Sequence, residues 1–133
     1  MNKSATVGVS IEFYDCDPLF VVWHGRYFKY FEQARQALLR ELDLDIPQIR
    51  AMGYRMYVTD ARCRYMFPLS YADDVKVTAK ITEVSPLIKV SYEVQNDTHG
   101  RRAARGYTTL ATTDADGNLL TETPHEILSR LQA

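Results

Sequence analysis

Two aspartates and a histidine lie close together near the beginning of the chain, with types and spacing that could serve catalysis. Asp15 and Asp17 flank a cysteine, and His24 and Gly25 follow a short apolar run. Asp17 directly precedes residues of buried character, so packing does not account for its carboxylate. Helical patterning begins near His24, and the first amides of a helix can bind an oxygen that gains negative charge. A carboxylate beside such amides could attack a polarised carbonyl or deprotonate the water that attacks it.

Each of these residues also has a simpler interpretation. Either aspartate could close a turn or cap a helix, and Asp15 fits that role well. His24 could contribute mainly its backbone to the start of the helix. A nucleophilic pair of Cys16 with His24 is a further alternative, although their spacing does not support it specifically. Cys16 and Cys63 form no CxxC motif and are interpreted as packing thiols in a reducing compartment.

The elements that must position these residues are predicted from hydrophobic periodicity. Residues 7–14 alternate between apolar and polar types, which predicts a strand ending with Phe13 on its apolar face. Residues 24–42 change to a helical period with a wide apolar face, so we expect a long helix buried against a sheet. Residues 46–52 predict a short second helix, which Gly53 ends.

The second half of the chain is predicted to be mainly β-structure. Four strands are expected within residues 57–67, 75–82, 88–95 and 101–113, arranged as an antiparallel meander, and residues 125–131 predict a terminal helix. In the first of these strands, alternate residues from Tyr57 to Phe67 are predicted to share one face. The chain therefore predicts an α+β domain over residues 1–133 in which a sheet covers one long helix.

Composition excludes several classes of function. The chain has 133 residues and a formal net charge of -1, so a generally basic nucleic-acid binder is not indicated. No apolar run approaches the length of a membrane span, and residues 1–6 lack the apolar core of a signal peptide, so we expect a cytoplasmic protein. His99 and His125 fall in predicted surface segments, so we expect neither a metal nor a cofactor.

The order of elements, with an Asp turn before the long helix, resembles the hotdog-fold thioesterases, in which a curved antiparallel sheet wraps one central helix. The closer similarity is to the 4-hydroxybenzoyl-CoA thioesterase-like family, whose motif corresponds here to Asp15, Asp17, Val21, Val22, Trp23 and His24. This resemblance implies hydrolysis of an acyl thioester. It also implies that Asp17 is the catalytic carboxylate, as general base or nucleophile, and that an amide near His24 polarises the carbonyl.

The candidate site residues follow from this motif and from the positive charges of the β half. Asp17 and His24 are the catalytic candidates, and the candidates for substrate binding are Phe20, Val22, Trp23, Gly25, Tyr27, Arg101 and Arg102. The two arginines could meet the phosphates of coenzyme A or the acidic surface of an acyl carrier protein. Glu32 and Arg35 lie one helical turn apart and predict an ion pair.

The chain departs from the family pattern at two places. Leu19-Phe20 stand where the family has a small residue and a glycine, and Arg26 stands where Asn is common. The run Val-Val-Trp-His-Gly also resembles thioesterases of aryl-polyene clusters, which implies a carrier protein as partner. The family further implies a homodimer or homotetramer with its site at a subunit boundary. A hotdog dehydratase and a non-catalytic acyl-thioester-binding module remain the alternatives.

Overall fold

The computed structural model describes residues 3–132, which form five strands and three α-helices. In chain order they are β1 (Ser4–Ser10), α1 (Tyr27–Glu41), α2 (Ile46–Ala51), β2 (Tyr54–Tyr65), β3 (Asp74–Glu83), β4 (Ile88–Asn96), β5 (Arg101–Asp114) and α3 (His125–Gln132). Two short 3₁₀ turns, Phe13–Asp15 and His24–Arg26, lie between β1 and α1. No helix among the described residues has the length and apolarity needed to cross a membrane.

The strands form one antiparallel sheet in the order β1-β3-β4-β5-β2. Strands β3, β4 and β5 are a meander, as the sequence predicts. The predicted inclusion of β2 next to β3 is wrong, because β1 pairs along β3 from Ser4 opposite Lys80 to Ser10 opposite Asp74. With that edge of β3 occupied, β2 pairs with the free edge of β5 instead, and it becomes an edge strand.

Helix α1 packs on one face of this sheet, which confirms the predicted α+β architecture. Its buried residues repeat at helical spacing: Tyr27, Tyr30, Phe31, Ala34, Leu38 and Leu39. They meet inward-facing strand residues that alternate along β3 and β4, such as Val75, Val77, Val90 and Tyr92. The ring of Phe31 stacks on that of Tyr92 with 4.4 Å between their centroids. This layer of apolar side chains forms the core that supports the start of α1.

Strand β2 differs from the alternation predicted for it. Its register with β5 shifts between Val58 and Asp60, so Thr59 forms a bulge. Met56 packs on the core before the bulge and Cys63 packs on it afterwards. The prediction that Tyr57 and Cys63 share a face is therefore wrong, because one extra residue exchanges the two faces of the strand.

Candidate active site

The residues between β1 and α1 form a tight hairpin that carries Asp17. The predicted strand to Phe13 is shorter than expected, because β1 ends at Ser10 and Phe13 lies exposed in a 3₁₀ turn. Cys16 then pairs with Val22, and the amide of Asp17 donates to the carbonyl of Val21 at 2.9 Å. The arms of this hairpin therefore bring residues 15–17 alongside residues 21–23.

The tip of the hairpin places apolar side chains in solvent. The amide of Phe20 donates to the carbonyl of Asp17 at 2.9 Å and closes a four-residue turn. Phe20 has a φ of 65°, the left-handed region that favours glycine, so the family's glycine suits this backbone position. The side chains of Leu19 and Phe20 are 78% and 71% exposed. Neither side chain contributes to the hydrophobic core.

Only one of the two oxygens of the Asp17 carboxylate accepts a hydrogen bond within the hairpin. Its Oδ1 accepts a hydrogen bond from the amide of Leu19 at 2.8 Å, which holds the side chain in a turn conformation. Its Oδ2 has no hydrogen-bond partner among residues 3–132. The side chain is half-buried, so this oxygen is oriented and also accessible. An anchored carboxylate with one unengaged oxygen can accept a proton or attack an electrophilic carbon.

The turn before α1 presents two amides without partners. Trp23 precedes the 3₁₀ turn, and the amides of Arg26 and Tyr27 donate back to the carbonyls of Trp23 and His24. The amides of His24 and Gly25 have no hydrogen-bond partner within the described part of the chain. Such leading amides of a helix can bind a developing oxyanion.

Glycine at position 25 gives room to the Trp23 indole, which approaches this turn closely. A Cβ atom at Gly25 would overlap the indole ring. The same ring lies 5.0 Å from the His24 ring, centroid to centroid, and Trp23 is 50% exposed. The indole therefore packs against Gly25 on the side where a side chain would lie, and the absence of a side chain leaves room for the ring.

His24 is anchored through its backbone carbonyl. Its carbonyl accepts a hydrogen bond from the Tyr65 hydroxyl at 2.7 Å, and its imidazole is exposed. The Cys16 thiol lies 3.9 Å from the carbonyl of Glu12, so it is directed into the hairpin. A catalytic role for the imidazole stays a prediction.

Behind the turn lie three weakly acidic side chains, those of Tyr27, Tyr65 and Cys63, with raised pKa values. Tyr27 is 3% exposed, and its ring meets that of Tyr65 edge-on with 4.8 Å between centroids. Desolvation raises the pKa of both phenols to about 12 and the pKa of the Cys63 thiol to about 11. These groups are protonated at neutral pH, so Cys63 is not a nucleophilic thiolate.

Asp15 links the two arms of the site, which sequence reasoning did not foresee. It is 6% exposed, its Oδ2 accepts from the amide of Glu12 at 3.0 Å, and its Oδ1 lies 3.6 Å from Nε of Arg26. The Tyr30 hydroxyl is buried without a hydrogen-bond partner in residues 3–132, and burial together with the nearby Asp15 carboxylate raises the pKa of Tyr30. The departure from the family's Asn at Arg26 was the sequence signal that could have pointed to this pair.

The remaining candidates for substrate binding lie in different surroundings. Val22 is buried like Tyr27, so its side chain packs within the subunit. Arg101 lies over the ring of Phe67, with 4.8 Å from its guanidinium carbon to the centroid. Arg102 instead pairs with Glu93, with 2.9 Å between Nε and Oε1. Adjacent strand residues point to opposite faces, so the two arginines do not act as one basic patch.

A cleft of about 300 Å³ lies between α1, α2 and β2. Apolar residues line much of it, including Leu39, Ile46, Ile49, Met56, Val58 and Leu110. Glu32 and Arg35 are also at its wall, but they do not form the predicted ion pair. Nη1 of Arg35 donates to Oγ1 of Thr108 at 3.4 Å, a contact that draws the guanidinium toward the sheet. None of the predicted site residues lines this cleft.

Comparison with known proteins identifies relatives over nearly the whole chain. A family model described as the thioesterase-like superfamily matches residues 11–131. A curated protein from Aquifex aeolicus (strain VF5), named "Putative esterase", is 36% identical over 75 residues, which are 56% of this chain and 59% of that protein. The alignment thus spans about three fifths of the length of this curated relative.

Several solved structures resemble this chain over most of its length. A hypothetical protein from Aquifex aeolicus has a TM-score of 0.86 at 29% identity, over 96% of this chain and 98% of that chain. A DHNA-CoA thioesterase from Staphylococcus aureus has a TM-score of 0.81 at 24% identity, over 89% and 80%. A mutant 4-hydroxybenzoyl-CoA thioesterase, complexed with 4-hydroxybenzoyl-CoA, has a TM-score of 0.85 at 20% identity, over 97% and 99%. These similarities confirm the hotdog fold.

Proposed function

The chain belongs to the thioesterase-like superfamily, and we propose that it hydrolyses an acyl thioester. The observation that carries this proposal is one short segment, residues 15–25, which holds a carboxylate with an unengaged oxygen and two unengaged amides. A thioester carbonyl needs both an attacking group and a partner for the oxygen that becomes negative. A binding module would not require this combination.

Two routes through Asp17 are compatible with the chemistry. As general base, its carboxylate takes a proton from water while the water oxygen adds to the thioester carbon, and the thiolate then leaves and is protonated. As nucleophile, the carboxylate oxygen adds to that carbon and expels the thiolate, and water hydrolyses the resulting mixed anhydride. In both routes the amides of His24 and Gly25 stabilise the oxyanion, a contribution of roughly 10²–10³ in rate per donor.

The proposed enzyme is a homodimer, or a homotetramer built from such dimers. β2 is an edge strand of 12 residues, and most of it is exposed on both faces, including Val58 and Arg62. An unpaired edge of this length is a template for pairing with another chain, and a second copy removes it by two-fold symmetry.

Pairing of β2 with its copy would also bring the separated parts of the site together. Tyr65, at one end of β2, bonds to the turn at His24, while Tyr54 and Met56 line the cleft near the other end. Antiparallel pairing sets these opposite ends side by side. Each cleft would then lie beside the partner subunit's turn, where it could receive the acyl group.

The substrate is an acyl group on coenzyme A or on an acyl carrier protein. Structural relatives are named as thioesterases of 4-hydroxybenzoyl-CoA, DHNA-CoA and gentisyl-coenzyme A, which supports an acyl-CoA ester. The apolar walls of the cleft suit the acyl portion of such a molecule. The phosphates of coenzyme A, or the phosphate that links the acyl group to a carrier protein, would remain outside the cleft, near exposed cations such as Arg101.

The direct test is release of free thiol from a panel of acyl-CoA and acyl-carrier substrates. We expect turnover of at least one thioester without an added cofactor. Binding without thiol release would overturn hydrolysis in favour of a binding module. Loss of water from a 3-hydroxyacyl thioester, with its thioester bond intact, would identify a dehydratase.

Subunit complementation tests the shared site. Asp17→Asn removes the attacking group, and Gln36→Trp fills the cleft from an exposed position on α1. If one subunit's turn serves the other's cleft, heterodimers of these two inactive variants contain one intact site. An equal mixture, unfolded and refolded together, should recover roughly a quarter of wild-type activity. A monomer by light scattering, or no recovery in verified heterodimers, would contradict this arrangement.

A further inference from the structure

We propose that Arg26 is a positioning residue of the active site and acts through Asp15. This inference rests on the proposed function. The pair holds two parts of the site at a set separation: the turn that carries Asp17, and the free amides of His24 and Gly25. Neither Arg26 nor Asp15 touches the reacting atoms in this arrangement.

Asp15 belongs to both parts of the site through its hydrogen bonds. Its backbone carbonyl accepts from the amide of Trp23 at 2.9 Å, and its side chain accepts from the amide of Glu12 at 3.0 Å. Asp17 follows two residues later, and Trp23 immediately precedes the free amides. A displacement of Asp15 would therefore move the attacking carboxylate relative to the oxyanion donors.

Arg26 connects to this residue from the opposite side. Its amide donates to the carbonyl of Trp23 at 2.9 Å, so its backbone is part of the amide turn. Its guanidinium reaches back to Asp15, 3.6 Å from Nε to Oδ1, and lies 5.7 Å from the centroid of the Tyr14 ring. The Asp15 side chain is only 7% exposed and that of Arg26 is 28% exposed, so water screens this pair less than a surface pair.

Removal of the guanidinium would leave the buried Asp15 carboxylate without a cation, held by the Glu12 amide and beside the Tyr30 hydroxyl. An unpaired buried charge is unfavourable and moves toward another donor. The Tyr30 hydroxyl, 2% exposed and without a hydrogen-bond partner in residues 3–132, is the donor nearby. A turn of Asp15 toward Tyr30 would carry the hairpin with it. The Asn common in the family at this position carries no charge, so this ion pair is a property of the present chain.

The test compares Arg26→Gln and Arg26→Lys with a matched control, Arg40→Gln. Arg40 lies at the other end of α1, and its Nε is 3.0 Å from Oδ2 of Asp45. Steady-state rates, thermal midpoints and amide hydrogen exchange are measured for all three variants. The exchange is followed at the amides of Asp17 and Trp23, because their hydrogen bonds to the carbonyls of Val21 and Asp15 join the two arms of the hairpin. We expect Arg26→Gln to lower kcat about 10–100-fold with little change in KM, because a small displacement of reacting groups has an effect of this size.

The two control variants separate positioning from general stability. Arg26→Lys restores the charge and should recover part of kcat. Arg40→Gln should keep wild-type kcat, while its thermal midpoint should fall by a small amount, as that of Arg26→Gln should. Equal kcat values in Arg26→Gln and Arg40→Gln would overturn the proposal, and so would a failure of Arg26→Lys to improve on Arg26→Gln.

Hydrogen exchange distinguishes this inference from the proposed function. If the wild-type protein hydrolyses no thioester, the proposed function fails on its own. Faster exchange at the bonded amides of Asp17 and Trp23 in Arg26→Gln, but not in Arg40→Gln, then still supports positioning of the turn. Unchanged exchange in both variants would overturn positioning, whatever the enzyme activity.

Discussion

Asp114 and Asp17 both lie in turns, yet the two turns use their carboxylates differently. Oδ1 of Asp114 accepts from the amides of Asp116 and Asn118, each at 2.9 Å, and its Oδ2 accepts from the Asn118 side chain at 3.0 Å. These bonds, led by that from the Asn118 amide, lower the pKa of Asp114. Asp17 accepts one bond, from Leu19, and keeps an oxygen unengaged.

The comparison shows how a structural aspartate differs from a candidate catalytic one. Asp45 follows the pattern of Asp114, because its Oδ1 accepts from the amide of Ile46 and its Oδ2 from Nε of Arg40. In both turns the two carboxylate oxygens are engaged, one by backbone amides and the other by a side chain. In the hairpin one oxygen suffices to fix the turn, and the second is available for chemistry. Residue type and turn context alone do not separate these cases.

The largest expected effect is that of Asp17→Asn on turnover. Asn keeps an acceptor for the Leu19 amide, so the hairpin should fold, but it cannot take up a proton or readily attack a thioester. We expect kcat to fall by about 10²–10⁴, or further if Asp17 is the nucleophile. Rates on the best substrate and thermal midpoints measure both properties. Asp114→Asn is the matched control, because this carboxylate closes a turn outside the cleft, and it should leave kcat unchanged.

Asp15→Asn sharpens the assignment within the hairpin. From the sequence we expect mainly a loss of stability, as for a capping residue. Its ion pair with Arg26 adds a smaller, indirect effect on kcat than that of Asp17→Asn. Wild-type kcat in Asp17→Asn, together with an inactive and folded Asp15→Asn, would reverse the two roles.

A smaller effect is expected from Phe20→Gly at the hairpin tip. Loss of the exposed ring should raise activity on bulky acyl groups about tenfold and leave small or flat acyl groups unchanged. Glycine at residue 20 removes a left-handed backbone strain of about 1–2 kcal/mol. Its greater freedom in the unfolded chain lowers stability by about 0.4–1 kcal/mol, so the free energy of unfolding should change little. Relative rates across acyl-CoA esters are the measurement. An unaltered substrate profile would exclude Phe20 from the acyl site.

Arg101→Glu and Arg102→Glu test the carrier-binding prediction one residue at a time. Arg102 already pairs with Glu93, whereas Arg101 rests on an aromatic ring and presents its charge to solvent. We expect Arg101→Glu to slow turnover of acyl-carrier substrates roughly threefold to tenfold at low salt, and Arg102→Glu to have less effect. A simple pantetheine thioester is the control. Equal losses on both substrates would argue against carrier docking.

The smallest expected effect is on stability in acid, and it concerns the turns of Asp45 and Asp114. The pKa values of Asp45 and Asp114 are lowered from 3.8 by their hydrogen bonds. A lowered folded-state pKa gives stability that is present above pH 3.8 and is lost as the pH falls through the lower value. Denaturant titrations at pH 5 and pH 2.5 should therefore show a smaller acid loss in Asp114→Asn than in wild type. An identical loss would show that these bonds do not link protonation to folding.

The sequence predicted most elements because their periodicities are local. The wide apolar face of α1, the alternation of β3 and β4, and the Pro47 and Gly53 boundaries of α2 each depend on residues within a few turns or pleats. The prediction failed for β2 because pairing is a long-range property. The residues of β2 give no indication that β1 already pairs with the edge of β3.

For the candidate site, residue identity pointed to the Asp17 hairpin and to the start of α1. Only the tertiary structure showed which carboxylate has a free oxygen, which amides have no partner, and that Arg26 reaches Asp15. These facts depend on hydrogen bonds between segments that fold against each other, and such bonds leave no periodic signal in the chain. Local propensity thus determined the elements and the motif, while competition for edges, donors and acceptors in three dimensions decided their pairing and the different hydrogen bonding of Asp15 and Asp17.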